Sequence, residues 1–165
     1  MKGALTLLGW WLLGLLACAD QPEEDPGRAP IGSLQTILIY ATDDDPSSAG
    51  AAAKELDAGT VSELKKTPKL GFDHYRMVGS DTQDILRGYE NWATPIRPAK
   101  DILVRFEPRQ RPAADKIQLD LEYWQGRRKI MATDPTLTVK KPLYISGPKW
   151  RKGRLILQVT VLELR

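Results

Sequence analysis

Apolar and polar residues alternate along much of this chain. Ile117, Leu119, Leu121 and Tyr123 fall on one side of an extended backbone, and Gln118, Asp120 and Glu122 fall on the other. Successive side chains of a strand point to opposite faces, so a period of two predicts a strand with one buried side. Ile102, Val104 and Phe106 repeat the pattern, as do Leu155, Leu157, Val159 and Val161 with Gln158 and Thr160 opposite them. Residues 34–40 are β-branched or apolar at nearly every position, which predicts a strand buried on both faces. Residues 70–78 divide into Phe72, His74, Arg76 and Val78 against Tyr75 and Met77, a strand whose facing the pattern leaves open. Shorter strands are expected over 85–92, 129–133 and 136–139.

Turn chemistry separates these runs. Residues 80–84 read as a polar turn, 93–100 with Pro95 and Pro98 as a connection, 108–112 as a Pro-rich turn, and Gly126 as a hairpin tip. The chain closes on a second hairpin over 142–164, whose basic loop is bracketed by Gly147-Pro148 and Gly153. The one helical stretch lies over 49–66. Thr60-Val61-Ser62-Glu63 has the form of a capping box, Val61 and Leu64 share a face, and Pro68 stops the helix. A second helical turn is expected around 51–56, separated from the first by Gly59. Together these elements predict a mainly β fold, an antiparallel sandwich or partly open barrel of about 7–8 strands. One short helix would pack on its end or edge.

The N-terminus changes the picture of where this domain works. Lys2 precedes an apolar run over 4–17 that is shorter than the ~20 residues needed to span a bilayer. The run ends in Ala17-Cys18-Ala19, the small-residue exit of an export signal. Leu15-Leu16-Ala17-Cys18 resembles the lipobox of bacterial lipoproteins, which implies cleavage before Cys18 and a lipid on it. Ordinary signal-peptidase cleavage after Ala19 is the competing reading. Residues 20–30 are rich in Pro, Gly and acid and read as a flexible tether. The organisation expected is a signal peptide over 1–17, a tether over 18–32 and a β-rich domain over 33–165. Its location is periplasmic or outer-membrane-anchored, with free secretion or a free periplasmic form as the alternative. Cys18 is the only cysteine among 165 residues, so the domain stands without a disulfide.

The formal net charge of +3 hides an asymmetry. Residues 20–99 carry 8 Lys and Arg against 14 Asp and Glu, a balance of −6, whereas residues 100–165 carry 15 against 7, a balance of +8. The second part could meet an anionic partner, or the two parts could neutralise each other across one surface. Export makes nucleic acid an unsuitable partner.

No phosphate-binding glycine loop, dinucleotide fingerprint, zinc helix, Cys pair or nucleophile elbow occurs. No cofactor and no metal site is read. Asp43, Asp44 and Asp45 are adjacent, where a calcium loop alternates its ligands, so they read as a solvated turn. His74, the only histidine, has no partner beside it in sequence for base catalysis. Asp120 and Glu122 share a strand face and could imitate a glycosidase pair, as such pairs also do on ordinary solvent faces.

The candidate binding loop is Lys149, Trp150, Arg151, Lys152 and Arg154, a ring among four cations. It could meet an envelope protein or an anionic glycan or lipid headgroup, with Arg127, Arg128, Lys129, Lys140 and Lys141 adding charge. The bland reading folds Trp150 back over the open end of the sheets and leaves the cations in water. The function expected is non-catalytic binding or scaffolding in the bacterial envelope. A carbohydrate-binding module using Trp92 and Trp124 is the alternative, and a hydrolase is third. Coplanar exposed rings would favour the glycan reading, a cleft with paired carboxylates the enzyme, and a bare strand edge an adaptor.

Phe72-x-x-Tyr75-Arg76-x-Val78, followed by Gly147-Pro148 and Gly153-Arg154-Leu155-Ile156-Leu157, resembles a pattern shared by uncharacterised secreted bacterial mostly-β domains. The resemblance spans residues 34–164. It implies a β fold and an exported location, and it implies no site.

Overall fold

The computed structural model describes residues 24–96 and 101–165. Nine strands lie among them: β1 (Pro30–Thr42), β2 (His74–Leu86), β3 (Asn91–Ala93), β4 (Ile102–Ala113), β5 (Lys116–Gln125), β6 (Arg128–Thr133), β7 (Thr136–Thr138), β8 (Leu143–Trp150) and β9 (Gly153–Leu164). They form two antiparallel sheets, one in the order β2-β1-β9-β8 and the other β3-β4-β5-β6. β7 takes the place of β6 beside the start of β5. The two sheets stack as a β-sandwich, with one helix, α1 (Ala58–Lys66).

The alternating runs become the inner faces of this sandwich. Leu34 and Leu38 of β1 and Leu155, Leu157, Val159 and Val161 of β9 meet Ile102, Val104 and Phe106 of β4 and Ile117, Leu119, Leu121 and Tyr123 of β5. Burying each such side chain contributes about 1.5–3 kcal/mol relative to leaving it exposed. β1 and β9 also present Ile39, Ala41 and Ile156 to the opposite face, where Leu64 of α1, Leu70 and Tyr75 cover them. That double burial is why residues 37–40 are apolar without a break. The helix therefore packs on a sheet face and not on an end or edge. Tyr75 settles the facing of β2: its hydroxyl donates to Leu70 O and accepts from Phe72 N, both at 2.8 Å, beneath the helix.

Several boundaries differ from those read off the sequence. Thr60 is not the helix cap. Asp57 is, accepting the Thr60 amide at 2.8 Å and the Thr60 hydroxyl at 2.7 Å, so α1 begins before Gly59. A carboxylate at this position meets both the free amides and the positive end of the helix dipole. Residues 51–56 make no helical turn; Lys54 instead pairs with Met77 on the outer edge of β2.

The polar run 80–84 is no turn but the middle of β2, paired with β1 from Ile37↔Ser80 to Ser33↔Asp84. Edge strands tolerate such polarity because one side and one face meet water. Residues 85–92 are not one strand, since β2 ends at Leu86 and β3 begins at Asn91. Pro108 and Pro112 lie inside β4, beyond the reach of β3, where a missing amide donor leaves no ladder bond unmade. The register slips there twice.

β2 also closes one side of the sandwich. Asp81 accepts from the Thr94 amide at 2.7 Å and from Gln83 at 3.0 Å. A Cβ at Gly79 would lie 2.0 Å from Pro95 O, so only glycine permits this crossing. At the chain's entry, Tyr89 donates to Asp25 at 2.7 Å and Asp25 caps a single 3-10 turn at Pro26–Arg28. β1 then starts at Pro30, ahead of the domain boundary that composition suggests at residue 33. The expected signal, Cys18 and the first part of the expected tether lie outside the described residues, as do residues 97–100.

Candidate functional site

The β8–β9 hairpin closes through the Trp150↔Gly153 pair, leaving Arg151 and Lys152 as a two-residue loop. The same geometry closes β5–β6 with Gly126 at φ 58° in the first loop position. Such loops favour glycine there, yet the terminal hairpin holds Arg151 at φ 53°.

Trp150 is half-buried. Its ring meets Tyr40 edge-on at 5.3 Å and packs against the core between the sheets. Tyr40 is itself fully buried and shares a 2.8 Å hydrogen bond with Ser48. A Cβ at Gly153 would lie 2.2 Å from Ala41 O and 2.7 Å from the Tyr40 ring, so glycine lets the hairpin approach β1 this closely. The Arg151 guanidinium lies 4.2 Å from the centre of the Trp150 ring and donates to Ser48 O. Thr42 donates to Lys152 O at 3.2 Å. Trp150 thus covers the end of the sandwich, and the loop is fastened to the end of β1 through Lys152 O and to the turn after it through the Arg151 side chain.

The cations have a different fate. Arg154 donates to Ser146 Oγ and Gly147 O, each at 3.1 Å. Lys149 stands directly opposite Arg154 in the register. Lys149, Arg151, Lys152 and Arg154 line one shallow, open depression, with Phe72 and Gly153 completing its wall. Among the described residues no carboxylate forms an ion pair with any of the four. Asp45 feels the charge of Lys152. Hydrogen bonds from Ser47 hold its carboxyl below the usual range, with His74 and then Lys152 contributing less.

Other sequence candidates are placed elsewhere. Lys140 and Lys141 precede β8, at the end of the sandwich remote from the loop. Lys129 is committed to Glu122 at 2.6 Å and lies over the Trp124 ring at 5.3 Å. His74 is exposed at the start of β2, opposite Thr42. Asp43 accepts the Asp73 amide at 2.9 Å and Asp45 caps a short turn, so these two serve the backbone. Among the described residues no group of three metal-ligating side chains converges, and no helix is long and apolar enough to cross a membrane.

The outer face of the second sheet holds a feature the sequence reading missed. Arg105 stands among four carboxylates: Glu90, Glu107 at 2.7 Å, Asp120 at 3.1 Å and Glu122 at 3.9 Å. Arg109 adds a 2.8 Å bond to Asp120. Burial by itself would raise the Asp120 carboxyl, but hydrogen bonds from Arg105 and Arg109 outweigh it and hold it low. Lys129 likewise holds Glu122 low. A general acid needs its pKa raised toward neutrality, so this pair is tuned the opposite way. No local motif marks the hub, because its members come from two strands and a loop.

Trp92 and Trp124 lie on this face with centroids 6.4 Å apart, but their planes meet at 50°. They form no flat platform, and each indole donates to a carboxylate, Glu90 or Glu122. Parts of the sheet edges are blunted as well. β8 carries Pro148 and a register slip, β2 is bridged at Met77 and crossed at Gly79, and β4 carries its two prolines. No family model, curated protein or solved structure matches this chain.

Proposed function

We propose that this chain is an exported, non-catalytic binding or scaffolding protein of the bacterial envelope, whose terminal hairpin receives an anionic group on its partner. The carrying observation is the depression at the hairpin, where four cations meet and none is ion-paired with a carboxylate among the described residues. Around Arg105, by contrast, the clustered charges neutralise one another. Placement supports the same reading. β1 enters at Pro30 and reaches the hairpin end at Thr42, a path of roughly 40 Å at about 3.3 Å per residue. A chain held by lipid at Cys18 would thus present the cationic end away from its point of attachment.

The test is capture from a solubilised bacterial envelope, comparing the full chain with a variant carrying Lys149→Ser, Lys152→Ser and Arg154→Ser. Trp150 is kept because it closes the fold, and both proteins must give the same circular-dichroism spectrum. Loss of a captured species in the variant supports the reading, and identical capture refutes it. Fatty-acid labelling that vanishes in Cys18→Ser supports the anchor, whereas an unlabelled chain belongs to the freely exported alternative.

A further inference from the structure

We infer that the group received at the hairpin is a phosphate, free or as a monoester, seated between Lys149 and Arg154. The inference rests on the binding role proposed above and names its ligand. Lys149 and Arg154 are cross-strand partners, and like charges directly opposite each other on a sheet cost stability. Here neither of the two is ion-paired with an acid among the described residues.

The guanidinium groups are also fixed in place. Arg154 is held by Ser146 Oγ and Gly147 O, and Arg151 by Ser48 O and the Trp150 ring. These acceptors are neutral, so both arginines keep their full charge, and each has further N–H donors to offer. A guanidinium oriented in advance loses less freedom on binding and suits bidentate contact with phosphate oxygens.

The number of the donors selects among anions. Arg154 is carried by β9, Lys149 by β8, and Arg151 and Lys152 by the loop between them, so four N–H-bearing side chains line one depression. That many donors suits the several oxygens of a phosphate better than the two of a carboxylate. Four positive charges suit a group that carries about −1.5 to −2 at neutral pH. Phe72 offers an apolar surface to whatever carbon carries the phosphate. Phe72 is steadied by edge-on contact with Tyr75 at 6.5 Å.

Isothermal titration of the full chain at matched ionic strength tests this with four probes. These are sodium phosphate, glucose 6-phosphate, phosphatidylcholine vesicles containing phosphatidic acid, and sodium acetate. Saturable binding of phosphate, absent with acetate, is expected, and the sugar and lipid arms tell which carrier is preferred. Lys149→Ala with Arg154→Gln should weaken phosphate binding by at least ~10-fold. Lys149→Ala alone, at an exposed residue, should weaken it measurably without touching the fold. Lys140→Ala with Lys141→Ala, at the far end, should leave it unchanged. Equal affinity for acetate and phosphate overturns the phosphate assignment while the cationic binding site stands. Phosphate binding that survives in the Lys149 and Arg154 variants, or no binding of any phosphate probe, overturns it outright. Identical envelope capture by the triple serine variant sinks the parent reading separately.

Discussion

Replacing Tyr123 with phenylalanine should make the protein more stable, the opposite of the usual effect of a core substitution. The Tyr123 side chain is fully buried between the sheets, and its hydroxyl has no hydrogen-bond partner among the described residues. It points at Gly147, where an added Cβ would sit 3.1 Å from the hydroxyl oxygen and where no side chain exists to answer it. An unpaired buried polar group costs about 1–3 kcal/mol. Phenylalanine keeps the ring and its packing, so Tyr123→Phe should gain about 1–2 kcal/mol at pH 7. For a chain of this size that is a rise of roughly 3–6 °C in Tm.

The same burial pushes the Tyr123 hydroxyl up to about 12, against ~10 in an unfolded chain. The folded protein holds this proton more tightly, so the contribution is complete below about pH 10 and is lost as pH rises toward 12. The loss reaches roughly 1.4 kcal/mol by pH 11, and the phenylalanine variant is spared it. Urea unfolding should therefore show the advantage of the variant widening, from about 1–2 kcal/mol at pH 7 to about 2.5–3.5 kcal/mol at pH 11. Tyr75, Tyr89 and Tyr144 are raised as well, but they act in both proteins and cancel from the difference. A variant less stable than the parent at pH 7, or a gap that stays constant to pH 11, would refute the argument.

Arg105→Leu should cost about 2–4 kcal/mol at pH 7, because four carboxylates then face one another without their shared cation. Glu90, Asp120 and Glu122 are held below the ordinary range, so their contribution is present above about pH 4 and lost on acidification; the deficit must shrink by pH 3, and a constant deficit means Arg105 acts through packing alone. Asp57→Ala should cost about 1 kcal/mol in thermal unfolding, more than Thr60→Ala, and the reverse order would restore Thr60 as the cap. Gly79→Ala should cost about 2–4 kcal/mol, since its Cβ would lie 2.0 Å from Pro95 O. Hydrogen exchange at the Thr94 amide, which Asp81 now holds, should speed up, and unchanged protection would show that the crossing can yield.

The sandwich was legible because period-two alternation is a local property. Ile117 to Tyr123 and Leu155 to Val161 each announce a buried face whatever they pack against. The polar stretch 80–84 was not legible as strand, since its place at a sheet edge is set by β1, which is distant in sequence. Asp57 lost to Thr60 in the reading because two side chains with capping oxygens stand three residues apart, and backbone direction chose between them.

The site divides the same way. That Lys149, Arg151, Lys152 and Arg154 share a hairpin follows from the turn residues around them. Which of them face water and which find acceptors depends on Tyr40, Ser48 and Ser146, placed by other parts of the fold. The sequence by itself determined the β class, the inner faces, the terminal hairpin and its charge, because each rests on neighbours one to four residues apart. Only the tertiary structure decided that Trp150 turns inward, that Arg105 gathers four acids, and that the four hairpin cations form no ion pair among the described residues. Those outcomes depend on side chains meeting across strands, at distances in space that separation along the chain does not encode.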